Sequence, residues 1–78
     1  MAEFLCIEHQ SLPEPLKVAC MRRSDPVAGR LISFVGCPMT GREVEDGEIE
    51  FPFPRDRGMR MTLIDWMLYW GIPFRVMP

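Results

Sequence analysis

The sequence has few of the residues on which catalytic sites usually depend. Its 78 residues include one histidine, His9, and three cysteines. Catalysis by a cysteine nucleophile needs a base and an orienting acid beside the thiol, and a single histidine leaves few ways to assemble them. The six glycines are not spaced as in a phosphate-binding loop. We therefore expect a protein that is not an enzyme and uses no cofactor.

Long hydrophobic runs are also missing. A membrane-spanning helix needs roughly 20 consecutive apolar residues, and Asp65 and Arg75 interrupt the best candidate, residues 62–77. The N-terminus lacks a basic region and a long apolar segment, so it does not resemble a signal peptide. We expect a cytoplasmic protein without membrane contact, in which the odd number of cysteines stays reduced.

Excess positive charge is the third absence. Eleven acidic residues outnumber nine basic ones, for a formal net charge of −2. Attraction to nucleic-acid phosphates should be weak, and direct nucleic-acid binding is not expected. Hydrophobic residues make up 47% of the chain, enough for one folded domain. The chain begins at Met and ends just past its last apolar run, so we expect residues 1–78 to be one complete domain.

Short apolar segments between turn residues predict β-strands. Residues 4–9 and 30–37 are rich in apolar and β-branched side chains. Residues 16–23 are interpreted as a third strand with Leu16, Val18 and Cys20 on one side, and a short helix is the alternative.

An Asp46-Gly47 pair within residues 42–53 predicts a β-hairpin with a two-residue turn. The apolar side chains would point inward: Val44, Ile49, Phe51 and Phe53. Four glutamates would form an acidic outer surface: Glu43, Glu45, Glu48 and Glu50.

The C-terminal part predicts a helix over residues 63–70. Thr62 and Asp65 suit its N-terminal cap, and Gly71 followed by Pro73 suits its end. Residues 54–61 would be an exposed loop, and the last residues an edge strand. The predicted fold class is α+β, a small antiparallel sheet of three to five strands with one C-terminal helix packed on one face.

The predicted helix is apolar over an arc of roughly 200°, about twice that of an ordinary surface helix. Leu63, Met67 and Trp70 belong to the side assigned to the core. Ile64 and Leu68 extend the apolar surface to one side, and Tyr69 lies on the opposite face. Either loops cover this remainder as core, or it contacts a partner protein or a second copy in a homodimer.

Two charged groups are further candidates. The hairpin glutamates either solvate the hairpin or engage a basic groove of a partner. Arg55, Arg57 and Arg60 lie in the predicted loop and either remain in solvent or contact a partner or nucleic acid, together with Arg22 and Arg23 if the segments meet.

A zinc site is the weak alternative for the cysteines. Cys6, His9, Cys20 and Cys37 supply the four ligands of a Cys3His site. Their spacing is poor, and within a strand Cys6 and His9 would point to opposite faces. Buried cysteines and a surface histidine are the simpler interpretation.

The sequence favours a non-enzymatic interaction protein. We expect an inhibitor or regulator that occupies a surface of a larger protein or complex through Ile64, Leu68, Tyr69 and the hairpin glutamates. A phage-encoded inhibitor of a host defence or nucleic-acid-processing complex is one example of this class. The alternative is a zinc-stabilised small domain that contacts nucleic acid.

Overall fold

The computed structural model describes residues 3–78, with Asp46 described by its backbone alone. Within this range the chain forms six strands and two α-helices. In chain order the elements are β1 (Phe4–Glu8), α1 (Glu14–Ala19), β2 (Met21–Asp25), β3 (Gly29–Ser33), β4 (Gly41–Glu43), β5 (Glu48–Pro52), α2 (Arg57–Trp70) and β6 (Arg75–Met77). Single 3-10 turns, His9–Ser11 and Glu45–Gly47, follow β1 and β4.

The strands form one antiparallel sheet in the order β2-β3-β4-β5-β1-β6. β2 and β6 are therefore the two edges, and α2 connects β5 to β6 across β1. The α+β class, the antiparallel sheet and the C-terminal helix are confirmed. The predicted number of three to five strands is wrong, because the sheet has six.

The hydrophobic core lies between the helices and one face of the sheet, here called the inner face. Strands β1 and β5 contribute fully buried side chains, among them Leu5 and Phe51, and α2 contributes Leu63 and Met67. Burying one such side chain contributes about 1.5–3 kcal/mol. Trp66 completes the core edge by donating its indole N–H to the Val35 carbonyl at 3.1 Å.

The strand predicted over residues 16–23 is wrong for its first half. Residues 14–19 are helix α1, and β2 begins only at Met21. Pro13 caps the helix and Pro15 lies in its first turn, where proline is tolerated because those N–H groups have no helical partner. Leu16 is buried, whereas Val18 is 78% exposed. The helix alternative was the better one for this segment.

Strand β3 ends at Ser33, four residues before the predicted limit. A turn follows, in which the Cys37 N–H donates to the Phe34 carbonyl at 3.2 Å. Gly36 adopts a φ of +75° in this turn, a conformation that glycine adopts without steric cost.

The predicted hairpin forms, but its two-residue turn is wrong. The Val44 N–H donates to the Glu48 carbonyl, and this pair closes a loop of three residues, 45–47. Gly47, with φ of +73°, ends this connection in the left-handed conformation typical of three-residue hairpin loops. The extra residue shifts the register, and Glu43 rather than Val44 lies opposite Ile49. Glu43 therefore belongs to the inner face beyond the core, contrary to the prediction.

Helix α2 begins at Arg57, six residues before the predicted start. Asp56 is the N-cap, and its carboxylate accepts the Met59 N–H at 2.9 Å. Thr62 is not a cap, because its hydroxyl donates to the Gly58 carbonyl within the helix. The loop predicted over residues 54–61 is therefore wrong from Arg57 onward.

The end of α2 and the last strand are confirmed. Gly71 adopts a φ of +66°, and the Ile72 N–H bonds to the Met67 carbonyl in a Schellman arrangement. Strand β6 pairs with β1 at the sheet edge. In the part of the chain that the structure describes, no helix has the length and apolar character needed to cross a membrane.

Candidate interaction surface

Helix α2 exposes large apolar side chains on the face that points away from the sheet. Tyr69 is 81% exposed, Leu68 65% and Met61 51%. Met61 and Leu68 are seven residues apart and therefore lie on the same side of the helix. We call these three residues the exposed face of α2.

Ile64, a predicted partner contact, and Trp70, which was predicted to be core, lie at the border of this face. Ile64 is half-buried and packs against the core, so it joins the core to the exposed face. Trp70 is also half-buried, and Tyr69 stands edge-on to it with ring centroids 5.4 Å apart. This contact holds the Tyr69 ring at the surface.

The N-terminal end of α2 is basic. Arg55 and Arg57 are exposed. Arg60 is engaged within the protein, because its guanidinium lies 4.7 Å from the Phe53 ring centroid and donates to the Pro54 carbonyl. Arg22 and Arg23 lie on β2, an edge strand at one end of the sheet. The arginines predicted as one basic group thus lie on β2 and at the start of α2.

Three of the four hairpin glutamates pair with arginines. Glu43 accepts from Arg22 at 2.8 Å and Glu50 from Arg42 at 2.9 Å. Glu48 pairs with Arg75 of β6. Glu45 is exposed and forms no salt bridge within the described residues. In the folded protein, arginines therefore neutralise most of the negative charge of these glutamates.

The uncovered face of the sheet carries alternating charges. Arg42, Glu50, Cys6 and Arg75 occupy successive positions in one row across β4, β5, β1 and β6. Cys6 lies between Glu50 and Arg75 and is only 5% exposed. Burial, followed by the nearby Glu50 carboxylate, raises the pKa of the Cys6 thiol.

The proposed zinc ligands are not brought together. Cys6 lies on the uncovered face, whereas Cys20 and Cys37 pack against the core on the inner face. His9 faces Arg22, with 3.0 Å between its Nε2 atom and the arginine. Burial raises the pKa of the Cys37 thiol, which favours its protonated form. Among the side chains that the structure describes, no three metal-ligating groups are placed to share an ion.

No protein-family model, curated protein or solved structure matches this chain. The site is therefore defined by its own geometry. Sequence reasoning missed Met61, because it was assigned to a loop. Met61 lies seven residues before Leu68, and this helical spacing would have placed both on one face if the helix had been extended toward its N-terminus.

Proposed function

We propose that this protein is a non-enzymatic inhibitor or regulator that binds a larger protein or complex through the exposed face of α2. The observation that carries the proposal is the exposure of Leu68 and Tyr69 on a helix whose opposite side is core. Single exposed apolar residues are ordinary on protein surfaces, but three on one helix face form a patch.

The residue types of the patch support a binding role. Tyrosine and methionine are enriched at protein interfaces, and tyrosine is frequent among the residues that dominate binding free energy. The Tyr69 ring contacts Trp70 on one edge and exposes most of its remaining surface to a partner. The exposed Asp65 is three or four residues from each member of the patch, so its carboxylate lies among them, and a partner must offer it a hydrogen-bond donor.

The exposed face of α2 is too small to form a stable interface by itself. A stable interface needs about 800 Å² from each protein, more than three side chains supply. The partner must therefore reach past the helix onto neighbouring surface. A homodimer formed through the same face is the competing arrangement.

The hairpin glutamates form a second, weaker part of the proposed surface. Only Glu45 is free of an internal arginine, whereas a basic groove would have to displace arginines from Glu43, Glu48 and Glu50. We expect these glutamates to affect association rate and salt dependence more than affinity.

The test uses three immobilised forms of the protein: wild type, Leu68→Glu and Val27→Glu. Val27 is 96% exposed in the β2–β3 turn and provides the matched control. We expect a protein from the lysate of a candidate host cell, identified by mass spectrometry, to bind wild type and Val27→Glu equally and not to bind Leu68→Glu. Equal recovery on all three forms would contradict the proposal. Analytical ultracentrifugation would detect a homodimer. A dimer that forms in wild type and Val27→Glu but not in Leu68→Glu would favour the homodimer over a larger partner.

A further inference from the structure

Two arginines and a serine meet at the β2 edge of the sheet, away from the exposed face of α2. Arg22, Ser24 and Arg30 line a surface depression of about 350 Å³ together with Arg23 and Glu43. This group is not part of the proposed protein-binding surface, and it was not predicted as a unit from the sequence.

The strand register places the three side chains on one face. Ser24 lies directly opposite Arg30, and Arg22 lies opposite Ile32, a buried residue of the inner face. Arg22 and Arg30 are thus diagonal neighbours, roughly 7–8 Å apart at their backbones. The adjoining turn is fixed, because the Asp25 carboxylate accepts the N–H groups of Val27 and Ala28.

Arg22 is held in position before any ligand arrives. Its Nε donates to Glu43 at 2.8 Å, and one terminal nitrogen lies 3.0 Å from His9 Nε2. The remaining terminal N–H groups are left for a ligand. A side chain held in this way loses little further entropy on binding.

Arg30 supplies an uncommitted guanidinium. It lies opposite Glu43 in the β3–β4 register, yet the Glu43 carboxylate pairs with Arg22. Among the described side chains Arg30 forms no salt bridge, and it is exposed. The Glu43 carboxylate therefore balances the charge of Arg22 alone, and the charge of Arg30 leaves the depression beside Ser24 positive.

We propose that Arg22, Ser24 and Arg30 bind a phosphate monoester. The guanidinium of Arg30, the free N–H groups of Arg22 and the Ser24 hydroxyl offer donors from three side chains. A phosphate presents three accepting oxygens to such a set, whereas a carboxylate presents two. The site is independent of the function proposed for α2.

The experiment is a titration of the ¹⁵N-labelled protein, followed by NMR at constant ionic strength. The probes are phosphoserine, ribose 5-phosphate and acetate. We expect saturable shifts of the β2 and β3 amides with both phosphate monoesters and weaker ones with acetate. Tighter binding of phosphoserine would indicate a phosphorylated protein segment as the source, and tighter binding of ribose 5-phosphate a nucleotide. Both support the site.

Two exposed arginines provide the matched variants. Arg30→Gln should weaken phosphate binding at least about tenfold, since it removes charged hydrogen bonds. Arg30→Lys should retain part of the binding, and Arg55→Gln should bind as wild type. Absence of saturable shifts, equal binding by Arg30→Gln, or acetate binding as tight as phosphate would overturn the proposal.

Discussion

Gly41 allows strand β4 to lie close against the side chains of β5. A Cβ atom at this position would stand 2.7 Å from Ile49 Cγ2 and 3.0 Å from the Phe51 ring. Both neighbours are fully buried and have little room to move. The absence of a side chain at residue 41 is therefore a packing requirement.

Gly41→Ala should lower the free energy of unfolding by about 1–3 kcal/mol, because it overpacks the core. Chemical denaturation measures this change. Ser33→Ala on the exposed end of β3 is the control and should change stability by less than about 0.5 kcal/mol. A Gly41→Ala variant as stable as the control would show that β4 does not pack as described.

Cys6 and Cys37 make the free energy of unfolding depend on pH in the alkaline range. Burial raises the pKa of Cys6 and Cys37 above the ordinary 9.0, so folding favours the protonated thiols. This contribution is fully present below pH 9.0 and is lost as pH rises through the folded-state pKa values. The free energy of unfolding should therefore fall as pH rises above about 9, and fall less in the double variant Cys6→Ala/Cys37→Ala. Parallel pH profiles for the two proteins would contradict this account.

Helix α2 shows how a start signal can be misassigned. Thr62 and Asp65 match a capping pattern, but the Asp56 carboxylate forms the cap six residues earlier. The intervening residues include Gly58 and two arginines, which suggested a loop, although Met59 and Met61 continue the helical spacing of Leu63 and Leu68. The end of the helix at Gly71 was predicted correctly, because helices commonly end at a glycine in the left-handed conformation.

The two capping assignments predict different variants to be unstable. Asp56→Ala should lower the free energy of unfolding by about 1 kcal/mol, because the Met59 N–H loses its acceptor. Thr62→Ala should change it by less than about 0.5 kcal/mol, since its hydroxyl only repeats a bond to a helix carbonyl. Urea denaturation of both variants decides between them, and the reverse order of stability would restore Thr62 as the cap.

The β4–β5 hairpin shows what alternation cannot reveal. The sequence pattern indicates the two strands, but the third loop residue that shifts Glu43 onto the inner face depends on the conformation at Gly47. The arginines that pair with the glutamates come from β2, β4 and β6. Contacts between distant strands cannot be read from local periodicity.

Replacing the four hairpin glutamates with glutamine tests their role. The three salt bridges are exposed, so their loss should change the free energy of unfolding by about 1 kcal/mol or less. If they contribute to partner binding, the quadruple variant should bind more slowly and with weaker salt dependence. Surface plasmon resonance at two salt concentrations against the captured partner measures both. Unchanged rates would limit these residues to solubility and internal pairing.

At the scale of the whole molecule, composition and element types predicted the α+β class and the C-terminal helix. The six-stranded order could not be predicted, because β2 is largely exposed and carries arginines where alternation is expected. The two-sided nature of α2 was left open by the sequence, since a 200° apolar arc fits either a covered helix or an interface. In the structure most of that arc is buried or half-buried, and Leu68 is its exposed residue.

Helix α2 buries one side in the core, and we propose that its other side binds a partner. A comparison of the unfolding free energies of Leu68→Glu and Leu63→Glu, two identical changes on one helix, tests this division of the helix. Leu68 is 65% exposed and Leu63 fully buried. We predict a loss below about 0.5 kcal/mol for Leu68→Glu and above about 3 kcal/mol, or failure to fold, for Leu63→Glu. A large loss of stability in Leu68→Glu would show that this side of the helix is core and would contradict the account.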